Sequence, residues 1–531
     1  MIAISWYLAG SPGTNGIDDA AITRSYSENI AHGHGFVYNI GGERVEGATS
    51  FLWTILVAIP YLFDGNVEYP ILVATTCLTI AAVFLALRLT ARAVNDTPPI
   101  VAALAMSIAM VGLPGFFIWS VWSMMEVGLW TFLCLLLLDQ LSQLTEAKDT
   151  PPRWNIAVFC GAIGLPLARP EGVAVAVGLL VLAMFLRPRA FRPLLVAILL
   201  SVSSFAALIF GRMIYFGYPF PNTYYAKVSA DRMQSISEGT KYLIDFLITY
   251  PFAEVLWVGW IILLGFSLRR GLKDMSSSYC TRILCAAFVF GILLSYVLLG
   301  GDHFAYWRFY QPMMPIFAMP AVVALVWSFR NIAERFERAV IGAGAAVLTG
   351  AWIVLNNMHF FQSRFDVGGE YHLSKRGENF GTYMNSFDPL PVMGVTAAGG
   401  IALTYDGELR DLLGLNWVEM AHANPIKDGF RNHASFDAAT FWKYPPQIVP
   451  LYNRSTCQRE RWTEQSGAGE TGVKQLYVEP RFQQAYVPII LERDRGRCTN
   501  AFASKEWLAQ IDDDRIISAN WDDLIILGQR R

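Results

Sequence analysis

Two adjacent carboxylates, Asp18 and Asp19, stand directly ahead of Ala20-Ala21-Ile22-Thr23, which reads as the start of a surface helix. A carboxylate in that place can act as general base toward a hydroxyl, because partial burial lifts its pKa into a useful range. Asp also suits the N-cap of a helix. Both roles fit the pair, with Asp19 capping and Asp18 left for chemistry. Cations recur downstream: Arg169 in the turn Leu167–Gly172, Arg212 ahead of Tyr215-Phe216-Gly217, Lys227 closing Pro221–Lys227, and Arg308 after Gly300-Gly301-Asp302-His303-Phe304. Fixed cations stabilise the negative charge on a departing phosphate. Each also has a plainer reading. Arg212 can snorkel from a span end. Arg169 and Arg308 can meet lipid phosphates or helix ends. Lys227 can anchor at the interface beside Tyr224 and Tyr225, which either stack on sugar faces or belong to an aromatic belt. Glu126, at a span end, is a functional carboxylate or a helix cap. Asp302-His303, with His32 and His34, forms a set able to hold a divalent ion beside Asp18 and Asp19, although nothing in the spacing demands one.

These residues must be held by something, and composition says what. Of 531 residues, 54% are hydrophobic and only 16% charged, against about 25% charged in soluble domains. A net charge of -2 offers no nucleic-acid surface. Seven cysteines without CxxC spacing offer no zinc framework. The chain reads as a polytopic α-helical membrane protein with one aqueous domain. Apolar runs place about ten spans at 69–91, 99–119, 126–142, 155–168, 172–187, 193–215, 252–268, 282–299, 309–328 and 339–358, each measured against the roughly 20 residues a span needs. The run 51–63 is too short and fits an interfacial or re-entrant helix. Met1–Gly10 is also too short to cross, so either a longer first span starts upstream or this is a stub; no basic n-region makes it a signal peptide. Composition turns polar near residue 359, which divides the chain into 1–358, the membrane domain, and 359–531, an aqueous domain.

Basic residues mark every second loop: Arg88 and Arg92; Lys148 and Arg153; Arg187, Arg189 and Arg192; Arg269, Arg270 and Lys273; Arg330, Arg335 and Arg338. The positive-inside rule then puts residues 11–49, the loop 216–250 and the C-terminal domain outside a cytoplasmic membrane. All the distinctive polar motifs fall at the outer ends of spans.

The run DDAAITRSYSENIAHGHGFVYNIGGERVEGATSFLW, residues 18–53, resembles the first outer loop of bacterial GT-C membrane glycosyltransferases. It is most similar to the group with the terminal arabinofuranosyltransferases of mycobacterial cell walls. Arg169-Pro170-Glu171-Gly172, Pro221–Lys227, Gly300–Asp302 with Arg308, Gly399-Gly400-Ile401 and Asp411–Leu415 resemble further motifs of that group, in the same order along most of the chain. Ala20-Ala21 and His303 depart from its usual aromatic residues. The resemblance implies a GT-C fold of about 10–11 spans with a C-terminal α/β domain. It implies inverting transfer of a sugar, arabinofuranose first and a mannose-type hexose second, from a polyprenyl-phosphate donor to a hydroxyl of a glycan, glycolipid or pilin-like protein outside the membrane. Asp18 is then the base and Asp19 second to it. Arg169, Arg212, Lys227, Arg308, Asn222, Tyr224, Tyr225, Asp302, His303, Glu126 and Glu46 are the donor-site candidates. A phosphodiester departs as a stable anion, so no second acid and no cofactor is required, although some GT-C enzymes use a divalent metal. A membrane transporter or lipid flippase is the alternative of another class; it would favour internal repeats and mid-span charges, and the sequence shows neither.

In the aqueous part, Pro391–Thr396, Gln447–Leu451 and Gln475–Val478 read as strands and Ser504–Ile511 as a helix. Cys457 and Cys498 are its two cysteines, and an oxidising compartment would let them pair. Cys77, Cys134, Cys160 and Cys285 read as packing residues in spans.

Overall fold

Apolar backbone in lipid must satisfy its own hydrogen bonds, so long apolar runs become helices. The computed structural model describes residues 1–94, 98–146, 155–274, 276–331, 335–362, 364–423, 436–451, 457, 473, 476–493 and 496–521. A short α1 (Ile2–Leu8) and the polar α2 (Asp18–Ala31) precede α3 (Phe51–Ala58). The bundle then runs through α4 (Glu68–Ala93), α5 (Pro99–Met110), α6 (Pro114–Phe117), α7 (Val127–Glu146), α8 (Ile156–Ala168), α9 (Gly172–Leu186) and α10 (Phe191–Tyr215). After α11 (Asn222–Lys227) come α12 (Arg232–Thr249), α13 (Ala253–Asp274), α14 (Ser277–Leu298), α15 (Met314–Phe317), α16 (Met319–Asn331), α17 (Arg335–Gln362) and α18 (Arg364–Met384).

Among the described residues six helical stretches are long and apolar enough to cross a membrane, or eight if each sharply bent pair is one span. The chain is a multi-pass membrane protein. The bends correct the expectation of straight spans. The run 99–119 breaks by 81° between α5 and α6, where Pro114 cannot continue the helix. The run 252–268 is entered through α12, which the span reading missed, across a 103° bend. Helices α8 and α9 have 13 and 15 residues, short of a straight crossing, because Arg169 ahead of Pro170 is extended (φ -152°, ψ 144°). The segment 51–63 is α3 followed by a single 3-10 turn at Pro60–Leu62. The composition change near 359 falls inside α17, which runs on to Gln362. Lys148 and Arg153, used for orientation, lie outside the described residues.

The C-terminal part forms one sheet of six short strands, β1 (Met393–Val395), β2 (Leu409–Asp411), β3 (Ile448–Leu451), β4 (Tyr486–Arg493), β5 (Arg497–Ser504) and β6 (Ile516–Ser518), ordered β2-β1-β3-β5-β4-β6. β1 pairs in parallel with β2 and β3, and the remaining pairs are antiparallel. The strands expected at 391–396 and 447–451 are present. Leu476 and Tyr477, expected in a strand, are helical, and Gln475 lies outside the described residues. They pack in a cluster with Phe441, Phe482 and Phe502, and a short apolar run does not itself tell strand from helix. The helix expected at 504–511 contracts to Lys505–Leu508, capped by the Ser504 hydroxyl on the Trp507 amide. Cys457 and Cys498 form a disulfide, with Cα atoms 5.3 Å apart.

One apolar cluster joins Ile22, Tyr26, Phe36, Tyr38 and Val45 of the first polar loop to Phe380, Val395, Ile401 and Leu409 of the sheet domain. Loop and domain therefore share a core, and α2 sits at their seam.

Candidate active site

Asp18 opens α2 and is 6% exposed. Its two carboxylate oxygens accept the amides of Gly399 (3.0 Å) and Gly400 (2.8 Å). Both positions must be glycine. A Cβ on Gly399 would sit 1.8 Å from the Asp18 carbonyl oxygen, and one on Gly400 1.9 Å from that of Ser374. Burial pushes the Asp18 carboxyl up to about 6, against the pull of the two amides, with smaller upward pushes from Asp19 and Asp411.

Asp19 does not cap α2. The N-cap is Ile17, whose position makes no side-chain bond, and the Asp19 carboxylate turns instead toward Lys227 Nζ (3.8 Å) and Arg308 (3.7 Å). The expected cap is thus absent. Asp18 is held by main chain, and Asp19 faces two cations, because α2 packs its Asp18 side against the Gly399-Gly400 turn.

Both carboxylates line a small cavity of about 80 Å3 with Lys227, His303, Glu370 and Asp411. Asp411 accepts the amides of Leu413 (3.0 Å) and Asn416 (2.9 Å) and the Asn416 side-chain amide (2.9 Å). Burial pushes the Asp411 carboxyl up. Arg308 is aimed by the loop ahead of it. Gly300 and Gly301 take positive φ, as do Tyr306 (63°) and Trp307 (48°), and Asp302 grips the guanidinium at 2.8 and 3.1 Å. Its ring neighbours Phe304 and Phe309 lie 4.3 and 4.9 Å from the guanidinium carbon. The cavity therefore presents an acidic floor and a cationic flank.

The sequence matches no protein-family model and no curated protein. Its structure is similar to ArnT from Cupriavidus metallidurans bound to undecaprenyl phosphate, with TM-score 0.54 and 12% identity over 94% of this chain and 97% of that one. It is also similar to the oligosaccharyltransferase of Archaeoglobus fulgidus in the apo form, with TM-score 0.53 and 12% identity over 97% and 74%. A form of that enzyme tethered to an acceptor peptide containing the NVT sequon gives 0.52.

The chain has the GT-C fold.

Within this GT-C fold the expected donor-site residues separate into two groups. Lys227, Arg308 and His303 gather at the Asp18–Asp19 cavity, with Asp302 behind them. The others do not. Arg212 is locked to Glu46 by two bonds of 2.7 and 2.8 Å, both side chains 2% exposed. Arg169 is held between Glu126 and Glu171, and Glu171 also accepts the Tyr296 hydroxyl at 2.7 Å. Arg212 ties α10 to the first polar loop, and Arg169 ties the turn between α8 and α9 to the residue ahead of α7. Asn222 is a staple: its side-chain amide donates to the carbonyls of Gly414 (2.8 Å) and Leu415 (3.0 Å). The Tyr225 ring stacks on His422 at 4.2 Å, and the Tyr224 hydroxyl takes a bond from Arg232. Neither tyrosine lines the cavity. The set Asp302, His303, His32 and His34 is not assembled as a metal centre. His303 borders this cavity, His32 borders a separate cleft, and among the described residues no three His, Cys, Asp or Glu gather at ligand spacing.

Glu370 was missed by sequence reasoning. It stands on the polar helix α18 with no motif around it, and only the fold carries it to the cavity. Asp411 stood within a recognisable motif, but nothing in its spacing pointed to Asp18.

Proposed function

We propose that this protein transfers a sugar from a polyprenyl-phosphate donor to an acceptor hydroxyl at the membrane face that carries the C-terminal domain. The observation that carries the reading is Asp19 at the cavity wall between Lys227 and Arg308. Both ion pairs are long, at 3.8 and 3.7 Å, so an incoming phosphate can replace Asp19 as the partner of Lys227 and of the Arg308 nitrogen that Asp302 does not hold. The carboxylate released in this way accepts the proton of the acceptor hydroxyl. The hydroxyl oxygen attacks the anomeric carbon, the bond from that carbon to the phosphate oxygen breaks with inversion, and the polyprenyl phosphate leaves as an anion beside Lys227 and Arg308. Asp18 fixes α2 against the Gly399-Gly400 turn and so sets the place of its neighbour. This revises the expectation that Asp18 is the base.

The similarity to a transferase bound to undecaprenyl phosphate supports a lipid-linked donor. Arabinofuranose rests on the motif resemblance alone, and a hexose is the second reading. The basic loops support an outer location for the cavity. The test is purified full-length protein with synthetic decaprenyl-phosphate arabinofuranose or undecaprenyl-phosphate mannose, and mass spectrometry of surface glycans from cells with and without the chain. Transfer lost in Asp19→Asn supports the reading. Full transfer in Asp19→Asn removes it.

A further inference from the structure

A second, larger cleft of about 820 Å3 opens between the first polar loop and the sheet domain. Its size is that of a ligand site, roughly 300–1,000 Å3. It abuts the small cavity. Tyr38, on the cleft wall, donates its hydroxyl to the carbonyl of Ala398 (2.6 Å), and Ala398 lines the cavity. Asn416 on the cleft side is bonded to Asp411 on the cavity side.

Its electrostatics are opposite to those of the Lys227–Arg308 flank. Glu28, Glu43, Asp406, Glu408 and Glu419 line it, against Arg410 as the arginine among its lining residues. A phosphate would be repelled, so this is not a second donor site. Three of the carboxylates are already matched: Glu408 by Arg410, Glu419 by Lys443 and Glu43 by the Val418 amide. Among the described residues no ion pair closes Glu28 or Asp406. Carboxylate oxygens with spare lone pairs are acceptors for hydroxyl groups. Trp417 and Tyr444 stand at the same wall, part-exposed, with ring centroids 6.1 Å apart at 66°, which offers apolar ring faces to the C–H side of a sugar. The nearby sheet edge is shut to an extended peptide. The Asn39 side chain takes both the N–H and the C=O of Leu409 on edge strand β2, at 2.8 and 2.9 Å, the groups that strand addition would use.

We infer that this cleft binds the acceptor, and that the acceptor is a hydroxyl-rich, uncharged oligosaccharide chain. The inference rests on the transferase reading for its direction of transfer but not for the binding itself. The experiment is saturation-transfer NMR on the full-length protein in detergent, with neutral arabinan, mannan and galactan oligosaccharides, a Ser/Thr-rich peptide and a lysine-rich peptide as probes. At least one oligosaccharide receives saturation on its ring C–H protons. The transfer falls severalfold in Trp417→Ala, returns in Trp417→Phe and persists in Asp19→Asn. Binding of only the peptides, binding of no oligosaccharide, or oligosaccharide binding indifferent to Trp417→Ala overturns the inference. If Asp19→Asn still transfers sugar while Trp417→Ala abolishes oligosaccharide binding, the catalytic reading fails and the cleft assignment stands.

Discussion

Arg212 and Lys227 lie in the same polar layer, fifteen positions apart in sequence, yet they are held in opposite ways. Arg212 and Glu46 form a dry, bidentate pair with both side chains 2% exposed. Lys227 is 20% exposed and stands 3.8 Å from a carboxylate that it shares with Arg308. A ligand would have to break that dry pair to recruit Arg212. A cation in a long, shared pair can change partner. Closeness of pairing distinguishes Arg212 from Lys227; Arg308 combines both conditions, gripped by Asp302 at 2.8 and 3.1 Å while its remaining terminal nitrogen stands 3.7 Å from Asp19.

The contrast breaks first at Asp19. Asp19→Asn keeps the volume but removes the proton acceptor, and is expected to lower the transfer rate by about 10²–10⁴, with donor binding retained in an equilibrium assay. A variant as active as the parent would place Asp19 with the scaffold. Arg212→Met comes next. It strands Glu46 as a buried charge, which typically costs about 3–5 kcal/mol, read as a lowered Tm in detergent. Arg212→Met combined with Glu46→Leu should recover most of that Tm. No recovery in the double variant would show that Arg212 serves something other than Glu46. Lys227→Ala should leave Tm near the parent value and raise KM for the lipid donor about tenfold, since charge-assisted contacts to a ligand run from about 2 kcal/mol when buried and less when part-exposed. A Tm drop without a KM change would move Lys227 to the scaffold side.

The smallest effect is a pH limb. Protonation weakens the two amide bonds that Asp18 accepts, and burial holds its carboxyl at about 6. Transfer should therefore decline with unit slope as pH falls below about 6. The stability sign is opposite. The folded pKa lies above the unfolded value of 3.8, so the folded state binds this proton more tightly, and the Asp18 contribution turns in favour of folding between pH 6 and 4. Activity lost in that window together with a Tm drop would mean that another group controls the limb.

The helical membrane part was legible because long apolar runs admit few other structures, and α4, α7, α10 and α14 fall close to their expected limits. The break at Arg169-Pro170 was legible too, since the spans read at 155–168 and 172–187 stop and start at it; those at Pro114 and between α12 and α13 were not, because hydropathy averages over a bend. Asp18, Asp19, Lys227 and Arg308 were singled out by type and motif. Their separation from Arg169 and Arg212 was not legible, since the partners that close those arginines, Glu126 and Glu46, are 43 and 166 positions away. Glu370 carried no local signal at all.

The Gly399-Gly400 turn has a consequence for the order of events during synthesis. The two amides that hold Asp18 are added some 380 residues after it. Until then α2 has no seat, and a carboxylate beside Lys227 has no fixed position. The membrane helices can be in place while the cavity is still unformed. A chain halted after the bundle would hold its membrane helices yet lack both amides that seat Asp18, so the sheet domain is what completes the cavity.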